Sequence, residues 1–204
     1  MGYLQSSALG LRMPILRKLA KDIGHDQALA GALWQRELHE AKLLATLITE
    51  PSKFTPELAD SWLEDVYSWD ICDQLCINTL VKLEERWDLP QRLTPNPEEY
   101  VRRAGLVMIV ALRIHDKKAN DASFLPFITL LRKYATDERN FVKKAVNWAI
   151  RELGKRSASH HPLMIDLCQE LWQTNSKSAH WIARDALKEL QSDKVKARLG
   201  LIQS

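Results

Sequence analysis

Long apolar runs are missing from this 204-residue chain. No stretch approaches the roughly 20 apolar residues that span a bilayer, so no membrane partner is expected. Glycine is scarce, with 7 residues scattered along the chain, and they assemble no Gly-rich phosphate loop. Asn-Gly and Asp-Gly turns between alternating residues are missing too, which removes the usual hairpin signal. Only 3 cysteines are present. A small odd number argues against a disulfide framework and for a reducing, cytoplasmic setting. Cys72 and Cys76 have a spacing a metal could use, but no His or third Cys accompanies them, and they read as small buried hydrophobes. His160-His161-Pro162 reads as a solvated helix start rather than part of a metal site. Nothing resembles a nucleophile elbow for Ser-His-Asp chemistry. The opening Met1-Gly2-Tyr3-Leu4-Gln5-Ser6 lacks the layout of a signal peptide, and Met1-Gly2 with Ser6 fits a myristoylation pattern only superficially.

What is present is helical. Hydrophobic residues make up 46% and charged residues 27% of the chain, the balance of a globular domain. Leu43, Leu44, Leu47 and Ile48 form an apolar stripe of helical period. So do Leu75, Leu80 and Leu83, then Leu106, Ile109, Val110 and Leu112, then Val142, Ala145, Val146, Ala149, Ile150 and Leu153. Pro51, Pro56, Pro90, Pro95, Pro97, Pro126 and Pro162 fall between stripes, as at helix ends. Asn96-Pro97-Glu98-Glu99 and Thr136-Asp137-Glu138-Arg139 read as N-terminal caps. Residues 86–97 read as the least structured loop.

The stripes repeat. Val101-Arg102-Arg103-Ala104 and Val142-Lys143-Lys144-Ala145 are 41 residues apart, and Arg151-Glu152-Leu153 and Lys188-Glu189-Leu190 are 37 apart. A period near 40 is that of HEAT and armadillo repeats. The expectation is an all-α, single domain over 1–204: a right-handed stack of antiparallel helix pairs, an α-α superhelix whose second helices line a concave face. Net charge is only +3, but it is unevenly spread. Residues 1–100 carry 10 basic and 16 acidic side chains, residues 101–160 carry 13 and 5. The paired basic residues opening the second helices would make the concave face cationic and attractive to phosphate.

Trp69 and Asp73 lie four residues apart. On a helix that spacing stacks an indole and a carboxylate on one face. If both are exposed, the indole offers a π face to a base or sugar, and the carboxylate offers charge to a developing cation. Asp70 follows Trp69 directly, so it projects elsewhere and reads as a cap or ion-pair partner; Arg102 likewise reads as facing away from Arg103. Trp34, Trp62, Trp87, Trp172 and Trp181 read as packing residues.

These segments together resemble the AlkD-type DNA alkylation repair family. The resemblance starts at Leu9-Gly10-Leu11-Arg12-Met13-Pro14-Ile15-Leu16-Arg17-Lys18-Leu19-Ala20-Lys21. It continues through Leu33-Trp34, His39-Glu40-Ala41, Trp69-Asp70-Ile71-Cys72-Asp73, Val101-Arg102-Arg103-Ala104 and Phe141 to Glu152. It implies a HEAT-like fold holding duplex DNA in its groove, and a monofunctional glycosylase, with no metal or cofactor, that removes purines alkylated at ring nitrogens. It places the catalytic pair on Trp69 and Asp73, a lesion or sugar contact on Trp148, and phosphate contacts on Arg103 and Arg151; Lys144, in the basic pair opening its helix, is a further expected phosphate contact. It also implies a monomer. Family members carry a further N-terminal helical segment before the Gly-x-x-x-Pro turn, where this chain has only about nine residues. The alternative function is a HEAT-repeat protein that binds distorted or branched DNA without cutting it.

The chemistry fits the residues. Alkylation of a ring nitrogen makes the base cationic and already a good leaving group. The barrier lies in the deoxyribose, which becomes oxocarbenium-like, and a fixed carboxylate stabilises that charge. Indoles favour positive charge through their π faces.

Overall fold

The computed structural model describes residues 8–202; the Met1-Gly2 and Ser6 pattern lies outside them. Among the described residues the structure is helical, with a lone bridge residue at Leu38 and no extended strand. Two compact units are distinguished, Met1–Arg86 and Trp87–Ser204, where the sequence suggests one domain. The division falls inside a 3-10 turn, Glu84–Trp87.

The first unit contains α1 (Met13–Ile23), α2 (Gln27–Trp34), α3 (His39–Ile48), α4 (Pro56–Glu64) and α5 (Trp69–Asn78). Pro14 sits in the first turn of α1 and Pro56 in that of α4, where a missing N–H costs nothing. Asp26 and Thr55 cap α2 and α4 by accepting from the backbone N–H of Leu29 and Leu58. The turn before α1 is tied down by the buried Glu40, whose carboxylate accepts from the N–H groups of Leu9, Gly10 and Leu11 at 2.9, 2.7 and 3.2 Å. The helix α3 is the centre of the unit and packs on α1, α2 and α5. Trp34 and Trp62 stack with ring centroids 4.0 Å apart, and Phe54 meets Trp62 edge-on. Both indoles are packing residues, as expected. Buried Lys42 lies 4.4 Å above the Trp34 ring; burial lowers its pKa, and Asp65 at 3.9 Å offsets part of that.

The expected stripe Leu75, Leu80 and Leu83 is not one helix. At Thr79 the chain leaves helical geometry, with φ −121° and ψ −65°, and a separate 3-10 turn follows at Leu80–Lys82. All three leucines are still buried, so the pattern reported burial correctly and helix continuity wrongly.

The second unit contains α6 (Leu89–Leu93), α7 (Glu99–His115), α8 (Leu125–Tyr134), α9 (Asn140–Gly154), α10 (His160–Trp172), α11 (Lys177–Leu190) and α12 (Asp193–Arg198). The second helices of the repeat begin at 99, 140 and 177, the spacing seen in the sequence. The helix α7 packs on α9 and α9 on α11, while α6 packs on α7, α8 on α9 and α10 on α11. The stretch expected to be the least structured loop holds α6, with Leu89, Pro90 and Leu93 buried; Pro90 marks a helix start, while Pro95 and Pro97 lie in the connection to α7. The expected caps are also displaced. The N-cap residues are Glu98 and Arg139, neither with a side-chain cap, while Asn96 and Asp137 accept from the N–H of those residues instead. His160 and His161 open α10 as expected but are buried, not solvated. The ring of His160 meets Phe124 edge-on, and His161 Nδ1 lies 3.0 Å from the carbonyl of Gly154.

Close helix approach is fixed at Gly105 on α7. A Cβ there would lie 2.8 Å from the backbone nitrogen of Thr94. Alanine would gain about 1 kcal/mol of helix propensity but overpack against backbone, which costs about 1–3 kcal/mol. Gly105→Ala is expected to lower stability by a net amount of up to about 2 kcal/mol. A urea midpoint at or above wild type would contradict this.

Candidate nucleic-acid interface

The first turn of α5 is clamped by Asp70, one residue after Trp69. Asp70 accepts from Ser68 Oγ at 2.6 Å and from the Ile71 N–H at 3.0 Å, and its Oδ2 lies 2.7 Å from His39 Nε2. Burial opposes its ionisation, but the bonds from Ser68 and His39 prevail and hold its pKa below the usual carboxylate range. Asp70 is therefore occupied in anchoring the helix. Trp69 leaves this anchored turn 51% exposed. Asp73 follows one turn later on the same face, among buried Ile71, Cys72, Leu75 and Cys76. It is only 6% exposed. The expectation of two open side chains is thus met by the indole and corrected for the carboxylate: Asp73 is a mostly buried side chain one turn along the face that carries the open indole.

The other predicted residues belong to the second unit. Arg103 on α7 is 4% exposed, and its Nη1 donates to the carbonyl of Phe141 at 2.6 Å. Phe141 N–H in turn donates to Glu99 on α7. The start of α9 is therefore bonded to α7 on both sides. On α9, Lys144, Trp148 and Arg151 are spaced so that they share a face. Lys144 is exposed, Trp148 half-buried and Arg151 half-buried. Arg151 Nη1 lies 2.8 Å from Glu189 Oε2 and 3.9 Å from Asp185 Oδ2. Trp181 carries Lys143 above its ring, 5.1 Å from the centroid.

Much of the basic excess of residues 101–160 is spent inside the second unit. Arg102 and Arg139 both bind Asp137, Arg113 lies on Glu152, Arg132 on Glu170, Lys155 on Glu152 and Glu189, and Arg156 on Asp121. The Asp137 hub was not legible as such, because Asp137 and its neighbour Glu138 read as part of a helix cap. Arg102 also donates to the carbonyl of Thr94 at 2.9 Å and lies over the Tyr134 ring. It does not face idly outward; it is structural. Trp172, expected to pack, is 49% exposed.

Among the described residues, no group of three or more His, Cys, Asp or Glu is placed to hold a metal ion, and no helix is long and apolar enough to cross a membrane. All three cysteines are buried, and burial pushes the Cys168 thiol up to about 12.

A family model described as DNA alkylation repair enzyme matches residues 3–190. The chain belongs to that family. Its fold is also that of a solved structure, from a new family of proteins related to the HEAT-like repeat DNA glycosylases with affinity for branched DNA structures. The two superpose with a TM-score of 0.77 at 18% identity, over 95% of this chain and 84% of the other. The architecture is accordingly a HEAT-like repeat of helix pairs. No curated protein matches the chain. Membership of the family connects the protein to DNA and to alkylation repair.

Proposed function

We propose that the protein is a DNA glycosylase that releases cationic alkylated purines from duplex DNA. The observation that carries this reading is the face of α5, which presents an open indole at Trp69 with the carboxylate of Asp73 one turn behind it, in a chain of the DNA alkylation repair family. The N-glycosidic bond breaks with its electron pair leaving on the base, which neutralises the positive ring. The sugar becomes oxocarbenium-like, and Asp73 stabilises it. Little water competes for a carboxylate this buried, so its field on a neighbouring cation is strong. Water then adds to the anomeric carbon and loses a proton, leaving an abasic deoxyribose. Trp69 favours the positive charge of base and sugar through its π face. In the second unit, exposed Lys144 supplies the open charge for phosphate, while Arg103 and Arg151 are engaged by the Phe141 carbonyl and Glu189.

A second reading is favoured by two observations. The similar solved structure comes from proteins with affinity for branched DNA, and Asp73 is more buried than a residue that must reach a sugar needs to be. On that reading the protein binds branched DNA and cuts no bond. Methylated and unmodified duplexes separate the two. The glycosylase reading expects free alkylated base and an abasic site from the methylated duplex only. Tight binding of a branched DNA with no base released would select the second reading.

A further inference from the structure

We infer that the groove between α10 and α11 is a second DNA contact, built to hold an unpaired nucleotide at a fork or branch; this rests on the reading that the protein binds DNA. The groove has a volume of about 390 Å³ and is lined by Gln169, Trp172 and Gln173 from the end of α10, and by Arg184, Leu187, Lys188 and Gln191 from α11. That size is within the range of small-molecule sites.

Three features give the groove a nucleotide's chemistry. The first is a fixed aromatic platform. Trp172 is half-exposed, yet its ring is braced by His180, with centroids 5.2 Å apart and planes tilted by 30°. His180 is itself held, because its Nε2 lies 2.6 Å from the Thr174 carbonyl. A carbonyl only accepts, so Nε2 carries the proton and donates. An exposed, braced indole offers a π face for a base to stack on. The second feature is unspent positive charge. Arg184 and Lys188 are exposed, and neither has an acidic partner among the described residues, whereas Arg151 and Lys155 nearby in the repeat are both bound to Glu189. No acidic side chain lines the groove. A flat apolar ring with two free cations beside it complements a base with its phosphate. The third feature is the amides of Gln169, Gln173 and Gln191, which donate and accept as base edges require.

Bases inside a duplex keep both faces covered by their neighbours. Only an unpaired base, as at a fork, a flap or a junction, can lay a face on Trp172. The groove therefore discriminates branched DNA from continuous duplex, independently of any chemistry at Asp73.

The test is equilibrium binding of two labelled DNAs to the full chain: a blunt duplex, and the same duplex with a forked oligothymidine arm. Wild type should bind the fork more tightly. Trp172→Ala should weaken fork binding by about tenfold and leave blunt-duplex binding unchanged, while Trp172→Phe keeps most of the preference. Arg184→Ala with Lys188→Ala should weaken fork binding similarly and flatten its salt dependence. Trp172 is half-exposed, so its loss should leave the circular dichroism unchanged. Equal affinity of wild type for the two DNAs, no effect of Trp172→Ala, or an equal loss on both DNAs would each overturn the inference. So would sedimentation showing a dimer that Trp172→Ala dissociates, which would assign the groove to a second copy of the chain. Base release from methylated duplex is read separately, and it stands or falls without affecting this result.

Discussion

Replacing Asp73 by asparagine is expected to lower the rate of base release from methylated duplex by about 10²–10³ while leaving DNA affinity within about twofold. The substitution keeps size, removes the charge and replaces one accepting oxygen by a donating NH2. If the carboxylate acts on the sugar cation, its effect appears in the transition state, where the positive charge is largest, and hardly at all in the bound ground state. The loss should therefore fall on the single-turnover rate and not on the binding constant. Its burial sharpens the expectation, since a charge at 6% exposure is poorly screened by water and salt. Raising the salt concentration should weaken DNA binding without reducing the rate at saturation. A variant with wild-type release would remove Asp73 from the chemistry. A variant that neither binds DNA nor folds would reveal a purely structural carboxylate, and the helical signal on heating distinguishes that outcome.

Asp137→Asn is expected to destabilise the fold by about 2–3 kcal/mol at neutral pH. Asp137 is 9% exposed and binds two guanidinium groups, Arg102 Nη1 at 2.7 Å from its Oδ2 and Arg139 Nη2 at 2.6 Å. Its backbone carbonyl also accepts from Ser178 Oγ at 2.8 Å. One short segment thus joins α7, α9 and α11, the three second helices of the repeat. Burial works against the charge of Asp137, but the bonds from Arg139 and Arg102 prevail and hold its pKa down at about 2. An unfolded aspartate titrates near about 4. The folded pKa is the lower one, so the stabilisation is fully present above about pH 4 and is lost as pH falls through about 2. Urea unfolding at a series of pH values should show wild type losing stability across that window and Asp137→Asn losing much less. Parallel curves for the two proteins would contradict the hub.

The repeat and the helices were readable in the sequence because both are local. Apolar stripes at helical spacing and basic pairs recurring near 40 residues report which face of each helix is buried, and the helix starts at 99, 140 and 177 follow them. Helix ends were less readable. Leu75, Leu80 and Leu83 keep the apolar pattern across a break at Thr79, because a 3-10 turn can bury the same side chains. Charge was readable in amount and not in availability. Arg102, Arg113, Arg132, Arg139, Lys155 and Arg156 have acidic partners that are mostly distant in sequence, and composition does not say which cations remain open. Exposure was the least readable. Trp62 and Trp172 look alike along the chain, yet one is stacked in the core and the other stands half in solvent. The spacing of Trp69 and Asp73 was read correctly as one helix face, but nothing local reports that Asp73 is covered by the rest of the fold.

The central claim is that a fixed carboxylate assists departure of a base that is already positively charged. Two duplexes of one sequence test it most directly, one carrying a purine alkylated at a ring nitrogen and the other a purine alkylated on its exocyclic oxygen, which stays neutral. Under single-turnover conditions the account predicts release of the cationic base only, at a rate that collapses in Asp73→Asn. Release of the neutral base at a comparable rate, or release of neither base from DNA that is demonstrably bound, would contradict it.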